Sequence, residues 1–118
     1  MKLKVLFFSF AIILIANTLK SQTIFKVDSV NNAHIRVYVT NEVNKADLKV
    51  YNVNTQEEAN KDGLWYLTTN ESEAFLKVYY FTEEKNELID LYIYNVSDPN
   101  EAGWINNDKR YLYKIPKK

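Results

Sequence analysis

The sequence predicts an all-β domain of about seven short strands, built from strand–turn repeats of 13–15 residues. Three observations predict it. Small or apolar residues recur at Ala33, Ala46, Ala59, Ala74, Ile89 and Ala102, at intervals of 13, 13, 15, 15 and 13. A β-branched and aromatic run follows each of the first five, of the kind that packs on a pleated surface. Short polar segments (TNEVNKAD, NTQEEAN, TNESEA, SDPNEAG) separate the runs. In these, Asn, Asp or Thr opens and Glu and Ala follow, the chemistry of a capped single helical turn.

The elements follow in order. Ile24-Phe25-Lys26-Val27 opens the series. Ile35 to Val39, Leu48 to Tyr51, Leu76 to Phe81 and Leu91 to Tyr94 are full copies. The middle copy, Leu64 to Leu67, is displaced by Lys61-Asp62-Gly63. Arg110 to Ile115 is expected to close the series as a strand, with Pro116 ending the pairing. Tyrosines at 38, 51, 66, 79 and 94 mark the register. Alternation along a strand then gives two faces. One carries Ile35/Val37, Leu48/Val50, Trp65, Leu76/Val78 and Leu91/Ile93 and must be the core. The other carries the five tyrosines beside Arg36, Lys49, Lys77 and Tyr92. No linker or low-complexity stretch interrupts residues 22–118, so they read as one domain.

The reiterated signature NKADLKVYNVNTQEEAN, ESEAFLKVYYFT and LIDLYIYNVSDPNEAGWIN resembles the septoil knot family of small bacterial proteins, over essentially all of residues 22–118. The resemblance implies an all-β domain whose repeats wind into a knotted backbone. It implies no catalytic residue. Two positions depart from the pattern: Leu88-Ile89-Asp90 replaces the small residue, and Phe75 follows Ala74 where a polar residue is usual.

The N-terminus is of another kind. Lys2 and Lys4 precede an apolar run from Val5 to Ala16, and Asn17 to Ser21 turns polar. A basic start, an apolar run of about 12 residues and a small residue at the cut make a secretory signal over residues 1–21, leaving Gln22 first. A membrane anchor would need about 20 apolar residues. Export to the periplasm or beyond the cell follows as the expectation, with no membrane insertion once the signal is removed.

Composition narrows the function. The chain has 118 residues, 47% hydrophobic and 25% charged, with 2 Gly, 2 Pro and no Cys, which excludes a collagen-like or disulfide-stapled chain. Without Cys there is no thiol nucleophile, zinc knuckle or lipidated cysteine. Basic and acidic groups number 15 each, and the signal holds three lysines and no acid, so the mature domain carries 12 against 15. That net charge of −3 gives nucleic acid no footing.

No constellation points to catalysis. His34 is the only histidine and stands where other repeats have Asp47 or Asp90, a turn position. Asp47, Asp90, Glu57, Glu58, Glu73, Glu87 and Glu101 recur beside turns, whereas a glycosidase needs one convergent pair about 5–10 Å apart. Asp98-Pro99-Asn100-Glu101 near Asp108 lacks the spacing of a calcium loop. Asp47 and Lys49, two apart on a strand, would share a face and could pair. No metal or cofactor is expected.

The tyrosines Tyr38, Tyr51, Tyr66, Tyr79 and Tyr94 are the candidate ligand-binding residues. They would form either a stacking platform for a glycan or protein, or a packed layer with hydroxyls at its rim. The expectation is therefore a non-enzymatic binding or structural module of the bacterial envelope. Its partner would be an envelope glycan or protein. The alternative is a polysaccharide hydrolase using paired carboxylates.

Overall fold

A computed structural model describes residues 21–114. Apart from Ser21, the expected signal lies outside the described residues, as do Ile115 and Pro116. The described chain forms seven strands: β1 (Thr23–Lys26), β2 (Ile35–Val39), β3 (Leu48–Asn52), β4 (Leu64–Thr68), β5 (Leu76–Phe81), β6 (Leu91–Asn95) and β7 (Gly103–Trp104). The first six close into a barrel in the order β4-β1-β5-β2-β6-β3 and back to β4, every pairing parallel. The chain first lays β1, β2 and β3 with gaps between them. On a second circuit β4 fits between β3 and β1, β5 between β1 and β2, and β6 between β2 and β3.

Parallel neighbours need a crossover, ordinarily of a dozen or more residues. Here the connections within the barrel run only seven to eleven. They suffice because a five-residue strand rises only about 17 Å, which a handful of extended residues can retrace. All but the β5–β6 connection carry a single 3₁₀ turn, as do the residues between β6 and β7: Val30–Asn32, Val43–Lys45, Gln56–Glu58, Glu71–Glu73 and Pro99–Glu101. Ser29, Thr55, Asn70 and Asp98 cap four of them through side-chain oxygens, and Thr55 and Glu58 form a reciprocal capping box. The repeating alanines end the turns: Ala33, Ala46, Ala59, Ala74 and Ala102 each donate a backbone N–H three residues back. The β5–β6 connection has no 3₁₀ turn, in keeping with Leu88-Ile89-Asp90 replacing the small residue.

Following the register once round the six strands displaces it by 12 residues. A shear of twice the strand number tilts the strands steeply. Residues of one height then lie two positions beyond their register partner at each step round the ring, and the interior resolves into layers of six. Gln22, Leu76, Ile35, Leu91, Leu48 and Gly63 form the lower layer, all buried. Ile24, Val78, Val37, Ile93, Val50 and Trp65 form the middle one and are within 1% of complete burial. Each such aliphatic side chain contributes about 1.5–3 kcal/mol by leaving water.

Over its described part, residues 110–114, the expected closing strand is not a strand. Asn107–Lys114 is a 3₁₀ segment that caps the lower end of the barrel, burying Leu112 into the core. The seventh strand is Gly103–Trp104, antiparallel to the start of β3. The reason lies at Lys61-Asp62-Gly63. Because that insertion starts β4 late, β4 meets β3 only at Tyr51 and Asn52, and Gly103–Trp104 takes the vacant β3 edge at Leu48 and Lys49. Gly63 crosses this junction at φ +95°, where a Cβ would stand 2.6 Å from the Lys49 carbonyl oxygen and 2.7 Å from the Gly103 nitrogen.

Candidate functional site

Since the six barrel strands are parallel, their C-terminal ends emerge together, and the third inward-facing layer lines a mouth there. It comprises Lys26 from β1, Tyr80 from β5, Val39 from β2, Asn95 from β6, Asn52 from β3 and Leu67 from β4. The opening holds a pocket of about 350 Å³ whose floor is Val50, Trp65 and Ile93, with Thr68 at its edge. Val39 and Leu67 are 39% and 48% exposed, apolar side chains held open to solvent by the barrel wall. The Lys26 ammonium lies 5.4 Å from the centre of the Tyr80 ring, a cation–π contact. Burial pushes the Tyr80 phenol up to about 12, so it is a neutral donor at ordinary pH.

The opposite end is closed. Trp65 Nε1 donates to the Tyr113 hydroxyl at 2.8 Å, and the Tyr113 ring packs edge-on against Trp104 and Phe75. Burial raises the Tyr113 phenol further still. Asp62 accepts from Trp104 Nε1 at 2.6 Å and Gln22 Nε2 at 2.5 Å, tying the 61–63 insertion to both chain ends of the barrel.

The tyrosines named from the sequence all lie on the outer face, as alternation implies, but they are spread around the barrel rather than gathered in one patch. At the height between the middle and upper inner layers, the outward positions are Phe25, Tyr79, Tyr38, Tyr94, Tyr51 and Tyr66, one from each strand. They form a belt around the barrel, each half-buried. The five tyrosines make no ring contact with one another; Tyr38 meets Tyr92 and Tyr79 meets Phe81, both edge-on. Three of them line separate crevices beside the connections. Tyr38 borders a wide depression of about 580 Å³ with Tyr92 and the 82–85 loop, Tyr51 faces Pro99, and Tyr66 faces Glu73.

The acids serve the strand edges. Asp90 Oδ2 accepts the Arg36 N–H at 2.9 Å, Asp47 Oδ2 the Tyr92 N–H at 2.8 Å, and His34 Nδ1 the Lys77 N–H at 3.0 Å. Each of the three also donates its own N–H to the carbonyl of the same partner, at 2.7 Å. The repeat position read as turn chemistry is thus a two-point clamp at the start of β2, β3 and β6. Asp47 does not pair with Lys49: below the strand start its carboxylate turns to the Tyr92 backbone and to the Asn106 carboxamide. Asp98 is occupied in capping its turn. Among the described residues no three His, Asp or Glu side chains converge as a metal site, and no helix is long and apolar enough to cross a membrane.

The mouth was not singled out from sequence, although a signal for it exists. Val39, Asn52, Leu67, Tyr80 and Asn95 each directly follow a marker tyrosine, and Lys26 follows Phe25. A comparison with family profiles matches residues 21–105 to the 7(1) septoil knot domain. Neither curated proteins nor solved structures give a match. With the matched region covering all seven strands and most of the chain, this protein belongs to the septoil knot domain family.

Proposed function

We propose that the protein is exported to the periplasm or the cell exterior and acts there by binding rather than catalysis, through the open mouth of its barrel, on an envelope glycan or protein. The observation that carries this reading is the ring at the mouth: six strands each deliver one side chain to a pocket with an apolar floor and a rim of mixed polar and apolar groups. Sites on strands hold their geometry better than sites on loops. The wider depression at Tyr38 is bounded instead by exposed loop residues. The tyrosine belt favours packing over a platform, since its half-buried positions circle the barrel and share no one surface. Asp47 and Asp90, which a hydrolase would need free, are engaged in clamping strands.

The test is capture of peptidoglycan, a polysaccharide panel and solubilised envelope proteins by the full chain. Two variants run alongside, Leu67→Glu at the mouth and Tyr51→Ala/Tyr79→Ala in the belt. Retention lost at least tenfold in the mouth variant and kept in the belt variant is the expected result. The reverse pattern moves binding to the belt, and release of new reducing ends from a polysaccharide overturns the non-enzymatic reading. Export is tested by sequencing the N-terminus of the protein recovered from cell fractions. Gln22 is the expected first residue, and an uncut cytoplasmic chain contradicts it.

A further inference from the structure

The rim of the mouth is unevenly equipped. Lys26 is the one charged side chain in the lining, and no acid accompanies it. Among the described residues its ammonium has no salt-bridge partner and rests on the Tyr80 face. The carboxamides of Asn52 and Asn95 likewise have no hydrogen-bond partner among the described residues. The mouth therefore offers an ammonium without a counter-charge and two amide groups without hydrogen-bond partners, above the apolar surface of Val50, Trp65 and Ile93. With Lys26 already over the Tyr80 ring, a second cation would meet repulsion where an anion meets attraction. One ammonium without arginine matches a single negative charge better than a phosphate dianion, which usually draws a bidentate or multiple-cation site. The volume, about 350 Å³, lies near the lower bound for ligand pockets and admits a compact group.

Resting on the mouth as the binding site, we propose that the group it takes is a carboxylate carried beside a compact apolar side group. Lys26 and the Asn52 and Asn95 amides hold the carboxylate, and Leu67 and Val39 hold the apolar group above the buried Trp65. Such a group occurs at the free end of a peptide and in a small organic acid.

The test titrates the ¹⁵N-labelled full chain with three probes: phenylacetate, a hexapeptide ending in phenylalanine with a free carboxylate, and the same peptide as its C-terminal amide. The Trp65 indole and the Asn52 and Asn95 side-chain amides report the site. At least one acid probe is expected to shift these resonances, with the amide at least tenfold weaker. Lys26→Met abolishes the difference between acid and amide, and Lys26→Arg retains it. Response to both acids means the carboxylate with its apolar group suffices; response to the peptide acid alone makes the ligand a chain end. Equal binding of acid and amide at the mouth overturns the carboxylate assignment while leaving the mouth as the binding site. Shifts confined to the belt, or none, overturn the assignment, and the capture experiment then decides the fate of the mouth separately.

Discussion

Asp90 grips Arg36 at three points: Oδ2 accepts both the backbone N–H at 2.9 Å and Nε at 2.8 Å, and Oδ1 accepts Nη2 at 3.1 Å. Fifty-four residues separate the two, so the contact fastens a second-circuit strand to a first-circuit one at its point of entry. The carboxylate raises the Arg36 pKa through that hydrogen bond, as expected of a charge-assisted pair.

Replacing Asp90 by alanine removes an acceptor from a part-buried N–H and a guanidinium together. We expect a loss of about 2 kcal/mol in urea unfolding at unchanged slope. Asp90→Asn, which keeps an oxygen for the N–H, should recover part of it. An Asp90→Ala midpoint equal to wild type would show that the clamp contributes nothing to the fold.

Gly63 should not tolerate a side chain. Its positive φ and the 2.6 Å approach of a Cβ to the Lys49 carbonyl oxygen involve backbone on both sides, so nothing nearby can yield cheaply. Gly63→Ala is expected to cost more than about 2 kcal/mol, or to loosen β7 from β3. Loss of protection at the β7 and β3 amides in hydrogen exchange would show the second outcome.

Alkaline stability follows from the phenols. The folded Tyr80 phenol is pushed up to about 12 by burial, against about 10 in an unfolded chain. Both states hold the proton below about pH 10, so its contribution is intact there. Above that the unfolded state ionises first, and the stability drains away as pH rises through 12. Tyr113 acts in the same direction. Unfolding midpoints measured between pH 9 and 12 should fall less steeply in Tyr80→Phe than in wild type; parallel curves would contradict this.

The lower closure includes one hydrogen bond from a fully buried indole. In Tyr113→Phe, Trp65 Nε1 loses its 2.8 Å acceptor inside the core. A cost of about 1–3 kcal/mol is expected, with altered Trp65 emission. Unchanged stability would mean that this hydrogen bond contributes nothing to the closure.

Much of this was legible in the residues. The alternation in Ile35 to Val37 or Leu91 to Ile93 sorted core from surface correctly because Ile35, Val37, Leu91 and Ile93 are all within 1% of complete burial. The turn segments announced themselves through capping residues such as Thr55 and Asn70. What short-range patterning does not encode is which strand lies beside which: Ile24 beside Leu76, or Val37 beside Leu91, is a matter of winding and stagger. Without it the tyrosines look like a column rather than a belt, and Asn52 and Asn95 look like strand ends rather than members of one ring. The 110–115 error has a similar cause. Its alternating Tyr111, Leu112 and Tyr113 suit a strand, but the barrel was already closed and only its lower end remained to be covered.

The most direct test of the account is a nuclear Overhauser spectrum of the labelled protein, since the binding site rests on six parallel strands delivering six residues to one mouth. Contacts are predicted linking the Leu67 methyls to the Lys26 and Asn52 side chains, the Val39 methyls to those of Tyr80 and Asn95, and Lys26 to the Tyr80 ring. Finding these residues divided between opposite ends of the domain, with Asn52 or Asn95 beside Leu112, would contradict the parallel barrel and the site built on it.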